Sequence, residues 1–213
     1  IVATDRDPSL WSGDALVLFI IEGKMDPLDQ LGEETAPLVK QKASRLGFTG
    51  KEDSLLVVDT PGGTVGSVYL AGLGSADGAT PDPWRRGIAL AVRQAGKDRN
   101  KRIMALPGGA ATPEVHSALA EGALLSEYSF ERYKSGPDPS EKPEPIEELL
   151  VHGGDERSLA RGSLNAIAQN FARDLVNEPG NVINPAGLAE RASATARECG
   201  IECNIFEEEK MRE

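Results

Sequence analysis

Ala15-Leu16-Val17-Leu18-Phe19-Ile20-Ile21 is the longest apolar run in the chain. Successive side chains of a strand point to opposite faces, and here both faces are apolar. Such a strand must be covered on both sides, which places it in the centre of a sheet between two layers. The run is far short of the ~20 residues that a membrane span needs.

The pattern around this strand alternates. A helix is predicted over Glu34 to Leu46, stopped by Gly47. Leu55 to Asp59 and Val65 to Ala71 flank Thr60-Pro61-Gly62-Gly63-Thr64 and read as a β-hairpin, so at least one pair is antiparallel. Asp82-Pro83, Thr112-Pro113 and Asn184-Pro185 each place a capping oxygen before a proline suited to the first helical position. The first of these helices carries Trp84, Ile88, Ala91, Val92 and Ala95 on one stripe, and the second Val115, Ala118, Leu119, Gly122 and Leu125. Between them Ile103 to Leu106 reads as a strand closed by Pro107-Gly108-Gly109.

Residues 134–148 are proline-rich, acidic and without period, the pattern of a surface loop or linker. A strand follows at Glu148 to Val151. A long helix is then predicted from Glu156 to Asn177, with Ala160, Leu164, Ile167, Ala168, Phe171 and Leu175 on one face. The final expected elements are a helix over Pro185 to Glu198 and a strand over Ile201 to Phe206. Strands alternating with helices define an α/β protein. The expected division is an α/β domain over 1–152, then a linker helix and the opening elements of a second α/β domain over 153–213.

The 213 residues hold 23 Lys plus Arg against 34 Asp plus Glu, a net charge of −11. A field of that sign repels nucleic-acid phosphates and anionic lipid. Two cysteines, Cys199 and Cys203, exclude a disulfide scaffold, suit a reducing compartment, and are expected to be inert thiols. No basic stretch leading into an apolar run and a small-residue cleavage site opens the sequence. The expected location is cytoplasmic.

Catalytic patterns are scarce. His116 and His152 are the only histidines, and neither has a second ligand at helical spacing. His116 is expected to be a surface or packing residue. Gly72-Leu73-Gly74-Ser75-Ala76-Asp77-Gly78 follows a strand but does not run into a helix as a dinucleotide fingerprint does, so a plain turn is the better reading. A basic island of Arg85, Arg86, Arg93, Lys97, Arg99, Lys101 and Arg102 shares its window with one acid, Asp98. It reads as a solvated helix face, a salt-bridged protein interface, or a phosphate-binding stripe. No Gly-x-Ser-x-Gly elbow, Walker loop or paired cysteine cluster is present.

Two stretches resemble a known family. Residues 121–135, Glu-Gly-Ala-Leu-Leu-Ser-Glu-Tyr-Ser-Phe-Glu-Arg-Tyr-Lys-Ser, look like the end of the N-terminal domain of the leucyl aminopeptidases, the cytosolic two-metal family. Residues 170–181, Asn-Phe-Ala-Arg-Asp-Leu-Val-Asn-Glu-Pro-Gly-Asn, continuing to Asn184-Pro185-Ala186-Gly187-Leu188-Ala189, look like its entry into the catalytic domain. Val68 to Gly74 and the helix from Asp82 fit the same order. The resemblance implies a macro-domain-like α/β unit with a mixed sheet between helices, then a linker helix. It also implies a parent metallopeptidase, a hexamer, that uses two divalent ions (zinc, manganese or magnesium) to release N-terminal residues such as Leu from peptides.

The family's metal motif, Asn-Thr-Asp-Ala-Glu-Gly-Arg, is absent; Ala120-Glu121-Gly122 is only a look-alike. No catalytic, cofactor-binding or metal residue is therefore assigned to any position. The chain is expected to be the non-catalytic N-terminal portion of such an enzyme, serving assembly or regulation. The alternative is a freestanding module that binds a nucleotide, ADP-ribose or a protein partner.

Segment 135–147 is expected to take the first internal cuts in limited proteolysis, because its Pro, Gly and charge content leaves little apolar surface to hold it down. Mass mapping checks this; first cuts within 156–177 would refute it.

Overall fold

The computed structural model describes residues 1–75, 80–108, 111–135 and 143–212. Ile1–Gln169 form one compact unit and Asn170–Glu213 a second.

The first unit is built on a six-stranded sheet. Its strands are β1 (Val2–Thr4), β2 (Gly13–Ile21), β3 (Leu55–Asp59), β4 (Val65–Gly74), β5 (Arg102–Leu106) and β6 (Glu148–His152). The order is β1-β6-β5-β2-β4-β3. All neighbours are parallel except β3 and β4, which form the expected antiparallel hairpin. The apolar run 15–21 thus lies in a central strand, between β5 and β4.

Both of its faces are covered. Ala15, Val17 and Phe19 join a core with Ile88, Ala91, Val92 and Ala95 of α2 (Asp82–Lys97) and Val115, Leu119, Ala120 and Ala123 of α3 (Pro113–Ser126). Leu16, Leu18 and Ile20 face Leu28 and Leu31 of a 3₁₀ turn (Asp26–Leu31) and Ala36, Val39 and Ala43 of α1 (Gly32–Arg45). Trp11 closes the second core, its ring lying where a side chain at Gly13 would stand.

Two expectations need correction. Thr112 caps α3 by accepting from Val115 N, and Asn184 caps α5 (Pro185–Glu198) by accepting from Gly187 N, but Asp82 does not cap α2. Asp82 is already helical, with Pro81 at the cap position, and its carboxylate pairs with Arg85 one turn on. Ile201–Phe206 is not a strand. Among the described residues it has no ladder partner, and Ile201, Ile205 and Phe206 are exposed. Its first amide, Ile201 N, instead donates back to Ala196 O of α5 at 2.8 Å, and a four-residue helix, Glu208–Met211, follows it.

The long helix expected over Glu156 to Asn177 is α4 (Glu156–Asn177). Its buried residues are Ser158, Leu159, Gly162 and Ala166, whereas Leu164 and Ile167 of the expected stripe are 65% and 60% exposed. Small residues make the docking face because the backbones come close. A Cβ on Gly162 would overlap the Ser117 carbonyl oxygen.

The start of α4 is held by a buried histidine. His116, 5% exposed, accepts from the Asp155 backbone N–H through Nδ1 at 3.1 Å. The Asp155 carboxylate in turn accepts from Ser158 N at 2.8 Å, capping α4. The tautomer that accepts at Nδ1 carries its proton on Nε2, which is buried without a partner among the described residues. Burial lowers the His116 pKa below its ordinary 6.5, with Asp155 opposing. Around this corner Arg157 acts on Asp155 and Arg161 on Glu114.

Two outcomes follow for α4. Gly162→Ala is expected to destabilise the protein by about 1–3 kcal/mol through overpacking, read as a drop in the denaturation midpoint. As pH falls below 6.5, the unfolded state binds the His116 proton more readily than the folded state, so stability falls with falling pH. Asp7, Glu114 and Asp155, whose pKa values are also lowered, add acid lability only further down, below their ordinary 3.8–4.5. His116→Asn keeps an acceptor at the Nδ1 position and removes the titration. Chemical denaturation between pH 7.5 and 5 should give a flatter slope for this variant; an unchanged slope would refute the assignment.

Candidate functional site

Strand order decides where a site can form. After β2 the chain turns to the 3₁₀ turn and α1 on one face; after β5 it turns to α3 on the other. β2 and β5 are neighbours, so their outgoing loops diverge at the carboxyl ends of the strands. In open α/β sheets that divergence makes the ligand crevice.

A cavity of about 310 Å³ lies there. β2 contributes Phe19 and Ile21, and β4 contributes Leu73; Pro107 and Gly108 follow β5. Trp84 of α2 closes one wall, its ring 5.0 Å from that of Phe19 and tilted by 42°. Lys24, Asp26 and Gln30 bring polar atoms from the segment after β2. Gln30 donates its amide to Pro27 O at 3.2 Å.

The glycine motif beside this crevice is backbone architecture. Gly72 N donates to Ser54 O at 2.8 Å and Gly74 N to Gly50 O at 2.9 Å, so both amides are committed. A Cβ on Gly72 would overlap the Lys51 carbonyl oxygen, which explains glycine at that position. Gly78 and Gly109 lie outside the described residues.

The basic island is tied to acids of this chain. Arg85 pairs with Asp82 and Glu121, Arg86 with Glu52 and Asp53, Arg99 with Glu144, Lys101 with Glu144 and Glu147, and Arg102 with Glu148. Arg93 donates through Nε to Ser126 O. Only Lys97 has no such contact among the described residues. The sequence window hid these pairs because, apart from Asp82 one turn before Arg85, their acids come from distant segments folded alongside it. A second cavity, about 460 Å³, lies beside Arg93 and Lys97, between Tyr128 and Pro143 to Pro145.

Among the described residues no group of three or more His, Cys, Asp or Glu is placed to hold an ion. Among the described residues, His116 and His152 each leave one buried ring nitrogen without a partner. Cys199 and Cys203 are exposed free thiols. Among the described residues, no helix is long and apolar enough to cross a membrane. The crevice residues Lys24, Asp26 and Trp84 carry no sequence signal as a set, since they meet only through the strand order.

The comparisons agree with this architecture. The sequence model described as "Cytosol aminopeptidase family, N-terminal domain" matches residues 16–137. A "Probable cytosol aminopeptidase" of Aquifex aeolicus (strain VF5) is 39% identical over 209 residues, covering 97% of this chain and 42% of that protein. One from Solibacter usitatus (strain Ellin6076) is 33% identical over 203 residues, covering 93% and 40%. A mutant of tomato leucine aminopeptidase superposes with a TM-score of 0.81 at 27% identity, covering 99% of this chain and 45% of that one. This chain spans about two fifths of the length of the relatives it matches. It belongs to the cytosol aminopeptidase family and carries that family's N-terminal domain.

Proposed function

We propose that this chain is the non-catalytic N-terminal portion of a metal-dependent aminopeptidase that releases N-terminal residues such as Leu from peptides. The carrying observation is the match of the N-terminal domain over residues 16–137, in a chain that covers about two fifths of its relatives. In this reading residues 1–152 form the N-terminal domain, and residues 153–213 hold a linker helix and the opening of the peptidase domain. The two divalent ions, zinc, manganese or magnesium, belong to the remainder of the parent. Among the described residues no group of three or more His, Cys, Asp or Glu is placed to hold them. Cytoplasmic location and assembly into a hexamer are part of the same proposal, with the present portion serving assembly or regulation.

Exposed apolar side chains support a covering partner domain. Leu164 and Ile167 stand out on α4, and Leu188, Ile201, Ile205, Phe206 and Met211 are exposed in the second unit. Each such side chain left in water forgoes about 1.5–3 kcal/mol of burial.

The test is release of Leu from a chromogenic leucine amide. The 213-residue chain is expected to show no turnover with or without Mn²⁺ or Zn²⁺, because two-metal hydrolysis needs carboxylates converging on ions about 3.5–4 Å apart. Supplying the missing C-terminal half should bring metal-dependent turnover. Turnover by this chain alone, after contaminating peptidases are removed, would overturn the proposal.

A further inference from the structure

We infer that the crevice at the carboxyl ends of β2, β4 and β5 is a binding site for a free apolar α-amino acid. Its inner walls are apolar. Ile21, Leu73 and the tilted Phe19–Trp84 pair shape a slot that takes an aliphatic or aromatic side chain. Its volume of about 310 Å³ is at the small end of ligand pockets.

The polar groups are of opposite sign. Lys24 and Asp26 stand two residues apart and line the same cavity, and both are exposed. Neither makes an ion pair or side-chain hydrogen bond among the described residues, in contrast to the paired cations of α2 and β5. A zwitterion satisfies both at once: its carboxylate meets the Lys24 ammonium, its ammonium meets the Asp26 carboxylate, and its side chain enters the slot. A nucleotide phosphate finds a poorer match. One cation is at hand, a carboxylate stands beside it, and the Gly72 and Gly74 amides are already used in the sheet.

Binding itself is argued from this chain alone. The assignment of the ligand as a product of the parent's own reaction, and of the crevice as a product-sensing site, rests on the reading under Proposed function.

Titration of the 213-residue chain by calorimetry, with the Trp84 indole followed by NMR, tests the inference. L-Leucine should bind saturably and move the Trp84 resonance, while glycine should bind at least tenfold more weakly. N-Acetyl-L-leucine lacks the ammonium and L-leucinamide lacks the carboxylate; each should bind about tenfold more weakly, the equivalent of 1.4 kcal/mol. K24M and D26N, both at exposed positions, should leave the unfolding midpoint unchanged and weaken leucine binding about 3- to 10-fold. Leucine binding no tighter than glycine, capped derivatives binding as well as leucine, or adenosine taking the site instead would each overturn the inference. The readout requires no turnover, so its failure leaves the aminopeptidase reading standing. An inactive assembled enzyme would likewise leave the binding result intact.

Discussion

β2 lies between β5 and β4 with Ala15, Val17 and Phe19 on one side and Leu16, Leu18 and Ile20 on the other, all buried. Fully burying a large apolar side chain is worth about 1.5–3 kcal/mol, so exposing either face of this strand would cost a sizeable part of a domain's marginal stability. Both faces therefore need a cover, and the chain supplies it in two passes. The segment after β2 lays the 3₁₀ turn and α1 on one side. The crossover from β4 through α2 to β5, and then α3, covers the other. The divergence of the β2 and β5 loops is a consequence of that double cover. The crevice therefore arises from how the core is closed.

The second constraint is close approach between helices. A Cβ on Gly122 of α3 would overlap the Arg85 carbonyl oxygen of α2, and one on Gly162 of α4 would overlap Ser117 of α3. Small residues at these points let backbones pack where larger ones would hold them apart. Charge is arranged around this tight layer. Arg85, Arg86, Lys101 and Arg102 each bind acids from other segments. Most of these pairs are partly exposed, and such pairs contribute at most about 1 kcal/mol each. Their structural effect is to tie these four cations of α2 and the start of β5 to acids of the same chain.

Much of the fold is legible in the sequence because its strong elements rest on local signals. The doubly apolar β2, the hairpin of β3 and β4, and the proline-led α3 and α5 declare themselves through periodicity and capping chemistry. Other features depend on neighbours that no local window contains. β1 is three residues long and exists through its pairing with β6. Ile201–Phe206 has a strand's composition and, among the described residues, no strand to join. On α4 a reading by side-chain size selects Leu164 and Ile167, yet the docked face is marked by the smallness of Ser158, Gly162 and Ala166. The same limit applies to the crevice, whose walls come from residues as far apart in sequence as Phe19 and Gly108.

These two limits bear on what the domain can do. Catalysis by two metals requires several carboxylates that converge and are otherwise unengaged. Here many acids are drawn to arginines and lysines at the rim of the helix layer, and no donor set converges among the described residues. A binding role asks for less: an apolar slot, a gap the core cannot fill, and a few charges left without partners. The diverging loops beside β2 provide the gap, Phe19 and Trp84 the slot, and Lys24 and Asp26 the uncommitted charges. An apolar slot rimmed by two charges of opposite sign is thus compatible with recognition of a small polar-ended molecule at the switch point of the sheet.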